Sequence, residues 1–153
     1  MDVAKIPVSE LLPHDPPMVL LDRVLSFDAS TLVAEVEIRP DSVFCEDDGV
    51  PAWVGIEYMA QAVAAHAGCQ GRLQGESPII GYLLGTRSYK CLVASFAVGE
   101  TLTIYVESLF VESGLGAFAS RIEMNGVLAT ATINVYQPTD DSVESIDSGR
   151  ISR

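Results

Sequence analysis

The stretch that decides the fold is PAWVGIEYMAQAVAAHAG, residues Pro51 to Gly68. Pro51 suits the first turn of a helix, and Gly68 suits the position just past a helix end. The interior is rich in alanine, and its larger apolar side chains are spread around the helical wheel. A helix that is apolar on nearly all sides is buried rather than laid on a surface. We therefore predict one long, central, buried helix over residues 51–68.

The segments on either side of this helix have the patterns of β-strands. TLVAEVEI, Thr31 to Ile38, alternates apolar and polar residues, which is typical of a half-buried strand. Asn125-Gly126 is a strong signal for a two-residue β-hairpin turn. The full set of predicted strands is Val19–Phe27, Thr31–Ile38, Ile79–Tyr89, Thr101–Val111, Ala117–Met124 and Val127–Tyr136. The expected fold class is α+β, an antiparallel sheet wrapped around one long central helix.

Composition narrows the classes of function. The chain has 153 residues and a net charge of -12, so one domain is expected, and neither nucleic acid nor an anionic membrane is an expected partner. Three cysteines without CxxC spacing predict neither a disulfide framework nor a metal site, and they favour a cytoplasmic location. The polar, Ser- and Asp-rich residues 137–153 predict a disordered acidic tail after a domain of residues 1–136.

Three motifs carry a family resemblance. LLPHDPPMVLLDRVLSFD (residues 11–28), GVPAWVGIEYMAQAVAAHAG (49–68) and GYLLGTRSYKCLVASFAVGETLTI (81–104) occur in the order found in 3-hydroxyacyl-acyl-carrier-protein dehydratases. The chain resembles that family from Ile6 to Tyr136, and within it a short branch associated with aryl-polyene assembly.

The resemblance implies the hot-dog fold and a homodimer or higher oligomer with acyl tunnels at the subunit interface. The implied substrate is an acyl chain on the phosphopantetheine arm of an acyl carrier protein, and no metal or other cofactor is implied. One departure matters, because the family's catalytic histidine, in an HFP motif before the helix, has no counterpart in residues 42–50, SVFCEDDGV. The glycine that opens the family's helix is Ala52 here.

Two residues are the candidate catalytic pair. The resemblance places the family's catalytic acid at Glu57, and burial within an apolar helix would favour its protonated form. The structural alternative is a carboxylate on a solvent-facing strip with Gln61. His14 is the best replacement base, since a neutral imidazole suits proton abstraction near pH 7. The alternative for His14 is a structural role in the Pro-rich loop, and a nucleophilic Cys45–His14 pair is a less favoured possibility.

The remaining candidates concern binding. A backbone N–H of Ala52 or Trp53, at the positive end of the helix dipole, is a candidate to polarise a thioester carbonyl. Gln61 and Met59 are candidate substrate-binding residues, and Gln61 is also expected to hold Glu57 or a water. Arg87 and Lys90 are candidates for docking an acidic carrier protein.

Three functions follow from these features. The first is dehydration of 3-hydroxyacyl thioesters in fatty-acid or polyene-type biosynthesis. The second is a non-catalytic acyl-binding subunit that pairs with an active homologue, because the HFP histidine is absent. The third is a thioesterase that uses Glu57 to direct a water.

Overall fold

The described part of the chain folds into one long helix and eight strands. The computed structural model describes residues 1–14, 17–75 and 82–136, with side chains from residue 85 onward in the last range. Two short 3-10 turns, Val3–Lys5 and Val8–Glu10, precede the first strand. The helix α1 spans Val54–Leu73. The strands are β1 Arg23–Phe27, β2 Thr31–Glu37, β3 Gly49–Pro51, β4 Tyr82–Cys91, β5 Ser95–Ala97, β6 Thr101–Glu112, β7 Leu115–Glu123 and β8 Val127–Tyr136.

Six of the strands form one antiparallel sheet in the order β1-β2-β6-β7-β8-β4, and β3 and β5 form a separate two-stranded ribbon. Alternate residues of the central strands are buried, such as Leu32, Ala34 and Val36 in β2. These side chains pack with the buried side of α1 in a single core. The α+β prediction of an antiparallel sheet around one long helix is confirmed.

The helix differs from its predicted bounds at both ends. Pro51 ends β3, where it pairs with Ser95, so that a turn at Ala52 and Trp53 separates it from α1. Gly68 lies inside the helix, and a Cβ atom there would stand 2.0 Å from the carbonyl oxygen of Leu11. Gly68 is therefore a point of close backbone approach, whereas Gly75, with φ +76°, is the glycine past the helix end.

The predicted start of one strand at Ile79 lies outside the described residues. The other bounds of the six predicted strands agree with the structure within a few residues, with one larger difference. β1 begins at Arg23 rather than Val19, because the residues before it pack along α1 instead of extending the sheet. Asn125 (φ 54°) and Gly126 (φ 117°) both adopt the left-handed conformation in the predicted β7–β8 connection.

Residues 137–153 lie outside the described residues, so the acidic tail stays a prediction. No helix in the described ranges is long and apolar enough to cross a membrane.

Candidate active site

The side chain of Gln61 joins the segment before β1 to the helix. Gln61 is fully buried in α1, and its Oε1 accepts a hydrogen bond of 2.8 Å from the Leu20 N–H. Its Nε2 donates to the carbonyl oxygen of Met18 at 2.6 Å. We call the described residues 11–14 and 17–22 the leading segment. A single amide side chain thus satisfies two backbone groups that no neighbouring strand pairs, and it holds the leading segment against α1.

His14 of the leading segment lies next to Glu57 of the helix. His14 Nε2 is 3.9 Å from Glu57 Oε1, and Gln61 Nε2 donates to the same Oε1 at 3.3 Å. His14 Nδ1 is enclosed and has no hydrogen-bond partner among the described residues. The two predicted catalytic residues are therefore brought together within one chain, with Gln61 beside them.

Glu57 is less deeply enclosed than the sequence suggested. Its side chain is 34% exposed and that of His14 is 29% exposed. Both lie on the side of α1 that the sheet does not cover, where the helix residues are only half-buried. This surface is accessible to a substrate, which full burial in the core would not allow.

Of the two candidate N–H donors at the helix start, one already donates a hydrogen bond within the protein. The Ala52 N–H donates to the carbonyl oxygen of Ala94 at 3.0 Å, so it is not free to polarise a thioester carbonyl in this structure. The residue takes part in the β3–β5 ribbon instead, because the helix begins two residues later than expected. The Trp53 N–H has no backbone acceptor in the described part of the chain. It remains a candidate, one helical turn from Glu57.

Tyr89 is a residue near this turn that sequence reasoning missed. Its hydroxyl donates to the Ala52 carbonyl oxygen at 2.5 Å, and burial raises its pKa. The side chain fixes the turn that leads into α1. No local pattern indicates this contact, since the two residues are 37 positions apart and meet only when β4 docks beside the helix start.

The predicted binding residues differ in how they are placed. Trp53 is 58% exposed, and its ring meets that of Phe44 edge-on at a centroid distance of 5.3 Å. Met59 is fully buried in the core, where a substrate at the surface of this chain has no access to it. Gln61 is equally buried, and its contacts are with the protein backbone and Glu57. Its observed role is to position the leading segment.

Arg87 and Lys90 share the outer face of edge strand β4. They pair with Thr132 and Thr130 of β8, and the irregularity between them, with Ser88 at φ 55°, keeps both on one side. Every other Lys or Arg side chain in the described ranges forms a salt bridge, whereas these two form none there. The sequence prediction thus selected the two unpaired cations.

The other reactive side chains have structural roles. His66 is buried between the rings of Phe27 and Phe118, and its Nε2 lies 3.1 Å from the Asp28 carbonyl oxygen. In the described part of the chain, no hydrogen bond joins Cys45 to His14, and no group of three His, Cys, Asp or Glu side chains is placed to hold a metal ion. The paired His14 and Glu57 are therefore the arrangement best suited to acid–base chemistry.

A sheet wrapped around one long helix defines the hot-dog fold, and in this chain a histidine of the leading segment and a carboxylate of the helix lie side by side. The model of the ApeP-like family, described as ApeP dehydratase, matches residues 6–146, and the chain belongs to this family. It is 31% identical to a chain of the dehydratase heterocomplex ApeI:P from Xenorhabdus doucetiae. That match covers 92% of this chain and 97% of the other, with a TM-score of 0.82.

More distant structures share the fold alone. A hypothetical thioesterase with coenzyme A from Streptococcus pneumoniae TIGR4 is 12% identical over 75% of this chain and 84% of its own, with a TM-score of 0.60. The protein smu.793 from Streptococcus mutans UA159, bound to acetyl-CoA, is 15% identical over 82% and 94%, with a TM-score of 0.63. The hot-dog fold is confirmed, and so is the resemblance to a dehydratase branch.

Proposed function

We propose that this protein dehydrates 3-hydroxyacyl thioesters, with His14 and Glu57 as the acid–base pair. The observation that carries the proposal is the 3.9 Å separation of His14 Nε2 and Glu57 Oε1 on the half-exposed side of α1. Membership of a dehydratase family supports the reaction class. The elimination needs a base for the α-proton, an acid for the departing hydroxyl, and a donor to the thioester oxygen.

In the proposed reaction, neutral His14 takes the α-proton through Nε2, and negative charge develops on the thioester oxygen. The C–O bond at carbon 3 then breaks as Glu57 gives its proton to the hydroxyl, which leaves as water. A double bond forms between carbons 2 and 3. The two groups end as an imidazolium and a carboxylate, and proton transfer between them, directly or through one water, restores the starting state.

The Trp53 N–H is the proposed donor to the thioester oxygen. It lies at the positive end of the α1 dipole, and removing a donor of this kind from an enzyme costs roughly 100- to 1,000-fold in kcat. Its position one turn from Glu57 suits a substrate lying along the helix with its thioester toward the N-terminus. The exposed rings of Trp53 and Phe44 would then contact the chain or its pantetheine arm.

The substrate is proposed to arrive on an acyl carrier protein in the cytoplasm. The unpaired Arg87 and Lys90 support this, because carrier recognition by two cations requires that no internal carboxylate already neutralises them. The sequence resemblance favours acyl chains of the aryl-polyene type. No cofactor is required by the proposed steps beyond the phosphopantetheine that carries the substrate.

The test is incubation of the purified protein with a 3-hydroxyacyl carrier-protein thioester, followed by mass spectrometry of the acyl-carrier product. Loss of one water is expected. Glu57→Gln and His14→Ala should each lower the rate by about tenfold or more, the lower end of what losing an acid or base costs. Glu46→Gln, which changes an exposed loop carboxylate, is the matched control and should retain full activity.

Two results would contradict the proposal. Release of free acid by the wild type would indicate a thioesterase, and full activity in His14→Ala would exclude His14 as the base. Thermal unfolding of each variant separates loss of chemistry from loss of fold.

A second candidate is supported by the heterocomplex in which the relative from Xenorhabdus doucetiae was solved. In this alternative the chain is an acyl-binding subunit that acts only with a second hot-dog protein. The same assay distinguishes the two, because the alternative requires no turnover by the chain alone and turnover after a homologue is added. Native mass spectrometry of the purified chain would report whether it forms a homodimer or larger oligomer by itself.

A further inference from the structure

A cavity whose lining includes neither His14 nor Glu57 lies between the leading segment and the loop after β2. Its volume is about 160 Å³, well below the ~300–1,000 Å³ of sites for drug-sized ligands. The leading segment forms one wall with Val19 and Asp22, and the loop after β2 forms the other with Asp41 and Val43. Tyr58 of α1 lines the cavity between them.

The hydroxyl of Tyr58 is the feature that points to a ligand. The side chain is only 2% exposed, yet its hydroxyl has no hydrogen-bond partner among the described residues. Burial raises its pKa to about 12, with smaller contributions from the neighbouring Asp22 and Cys45, so the hydroxyl stays neutral. The hydroxyl oxygen is not fully enclosed, so it is open to the cavity that Tyr58 lines and can form a hydrogen bond with a molecule there.

The charge of the cavity is negative. Its ionisable lining consists of Asp22, Glu37, Asp41 and Arg39. Arg39 is already bound, at 3.3 Å from Asp22 and 3.6 Å from Glu37, so it offers little to an anion. Asp41 forms no salt bridge or hydrogen bond with its side chain in the described ranges. A positively charged group is therefore favoured.

The loop wall is fixed by its own hydrogen bonds. The Arg39 N–H donates to Ser42 Oγ at 2.8 Å, and the Ser42 N–H donates to the Arg39 carbonyl oxygen at 3.0 Å. The Cys45 N–H then donates to the Ser42 carbonyl oxygen at 2.9 Å. The acidic wall is thus held in place before any ligand binds, which lowers the cost of binding.

Apart from Ser42, the remaining lining is aliphatic and includes Val19, Val36 and Val43. Together these features match a positive group on a short hydrocarbon chain. A bare metal ion fits less well, because the described residues contain no convergent group of three acidic, His or Cys side chains. We propose that this cavity binds a short alkylammonium group, with the ammonium between the Tyr58 hydroxyl and the Asp41 carboxylate and the methylenes on the valines.

The test is a titration of the methyl-labelled protein with n-butylammonium chloride, followed by NMR. Saturable shifts are expected at Val19, Val36 and Val43. Butan-1-ol and sodium butyrate, which keep the chain but lack the positive charge, should shift these methyl groups far less at the same ionic strength. Nα-acetyl-lysine amide tests the source of the ammonium. Binding of both amines supports recognition of a lysine side chain of another protein, and binding of butylammonium alone supports a free amine.

Two variants make the assignment specific. Tyr58→Phe keeps the buried ring and removes a hydroxyl that bonds to nothing in the described chain, so the fold should be retained. Asp41→Asn removes the free charge on an exposed residue. Each should weaken butylammonium binding by about fivefold or more, the equivalent of one hydrogen bond. Absence of saturable shifts in the wild type, equal shifts with butan-1-ol, or unchanged binding by folded Tyr58→Phe would each overturn the proposal.

Discussion

His66 is a buried histidine whose environment favours the neutral ring. It packs between Phe27 and Phe118, and its Nε2 carries the proton that it donates to the Asp28 carbonyl oxygen. Burial lowers the pKa of His66 below its ordinary value of 6.5, with the nearby backbone carbonyls opposing the effect in part. In the unfolded chain the ring has its ordinary pKa. Protonation therefore favours the unfolded state.

We expect this histidine to make stability depend on pH in a defined window. Its contribution is complete above about pH 6.5 and falls as the pH drops through that value, by up to about 1.4 kcal/mol per pH unit. The measurement is urea unfolding of the wild type and His66→Gln at pH 7.5 and pH 5.5. The wild type should lose more stability between these pH values than the variant. An equal loss in both proteins would mean that His66 does not contribute.

At the level of single residues, the sequence was a better guide to the candidate catalytic side chains than to the hydrogen bonds of the backbone. Glu57 was found through its motif, and His14 because a neutral imidazole suits proton abstraction near pH 7. The occupied N–H of Ala52 was missed because its acceptor, Ala94, is distant in sequence. Such contacts depend on which strands meet, and the local pattern does not determine that.

Among the elements, α1 depends on one close approach to the leading segment. A Cβ atom at Gly68 would lie 2.0 Å from the carbonyl oxygen and 2.9 Å from the carbonyl carbon of Leu11, both backbone atoms. Glycine in a helix interior costs about 1 kcal/mol relative to alanine. The presence of glycine here is explained by this contact rather than by helix formation.

Gly68→Ala should therefore destabilise the protein although alanine is the better helix former. We expect a loss of about 2 kcal/mol, since backbone atoms must move to admit the methyl group. Gly85→Ala is the matched control, because no atom lies within 4 Å of a Cβ at that position. It should change the free energy of unfolding by less than about 0.5 kcal/mol. Equal effects in urea unfolding would refute the close-packing explanation.

The helix also illustrates why element bounds were predicted less well than element types. The apolar composition identified α1 correctly, but Pro51 and Gly68 were given roles as helix ends that they do not have. Pro51 belongs to β3, a three-residue strand defined by its pairing with β5. Each of these two strands has only three residues, too few to show the alternation of apolar and polar side chains that identifies a strand. Pairing of that kind is recognisable only after the fold is known.

For the molecule as a whole, the charge distribution would set the way in which the proposed carrier protein approaches. The net charge is -12, yet Arg87 and Lys90 stand unpaired on the outer face of an edge strand. An acidic partner would meet general repulsion and one local attraction. Docking should therefore be weak, oriented and dependent on these two side chains.

Arg87→Glu and Lys90→Glu should each raise KM for a carrier-bound substrate while kcat stays near the wild-type value. The reason is that charges at a docking surface affect association more than the chemical step. Lys5→Glu, a reversal at a cation paired with Asp2, is the control for net charge. Steady-state kinetics with the carrier-bound substrate measures the effect. If Lys5→Glu raises KM as much as Arg87→Glu, no docking site exists on β4.

The Gln61 contacts with the leading segment have a consequence for how the protein loses activity. His14 reaches Glu57 only while that segment is attached, and two hydrogen bonds from one side chain hold Met18 and Leu20 in place. Detachment of a short segment costs less free energy than disruption of the whole sheet. Warming should therefore abolish turnover several degrees before the circular dichroism of the strands changes, with the Leu20 amide exchanging its hydrogen earlier than those of β6 and β7.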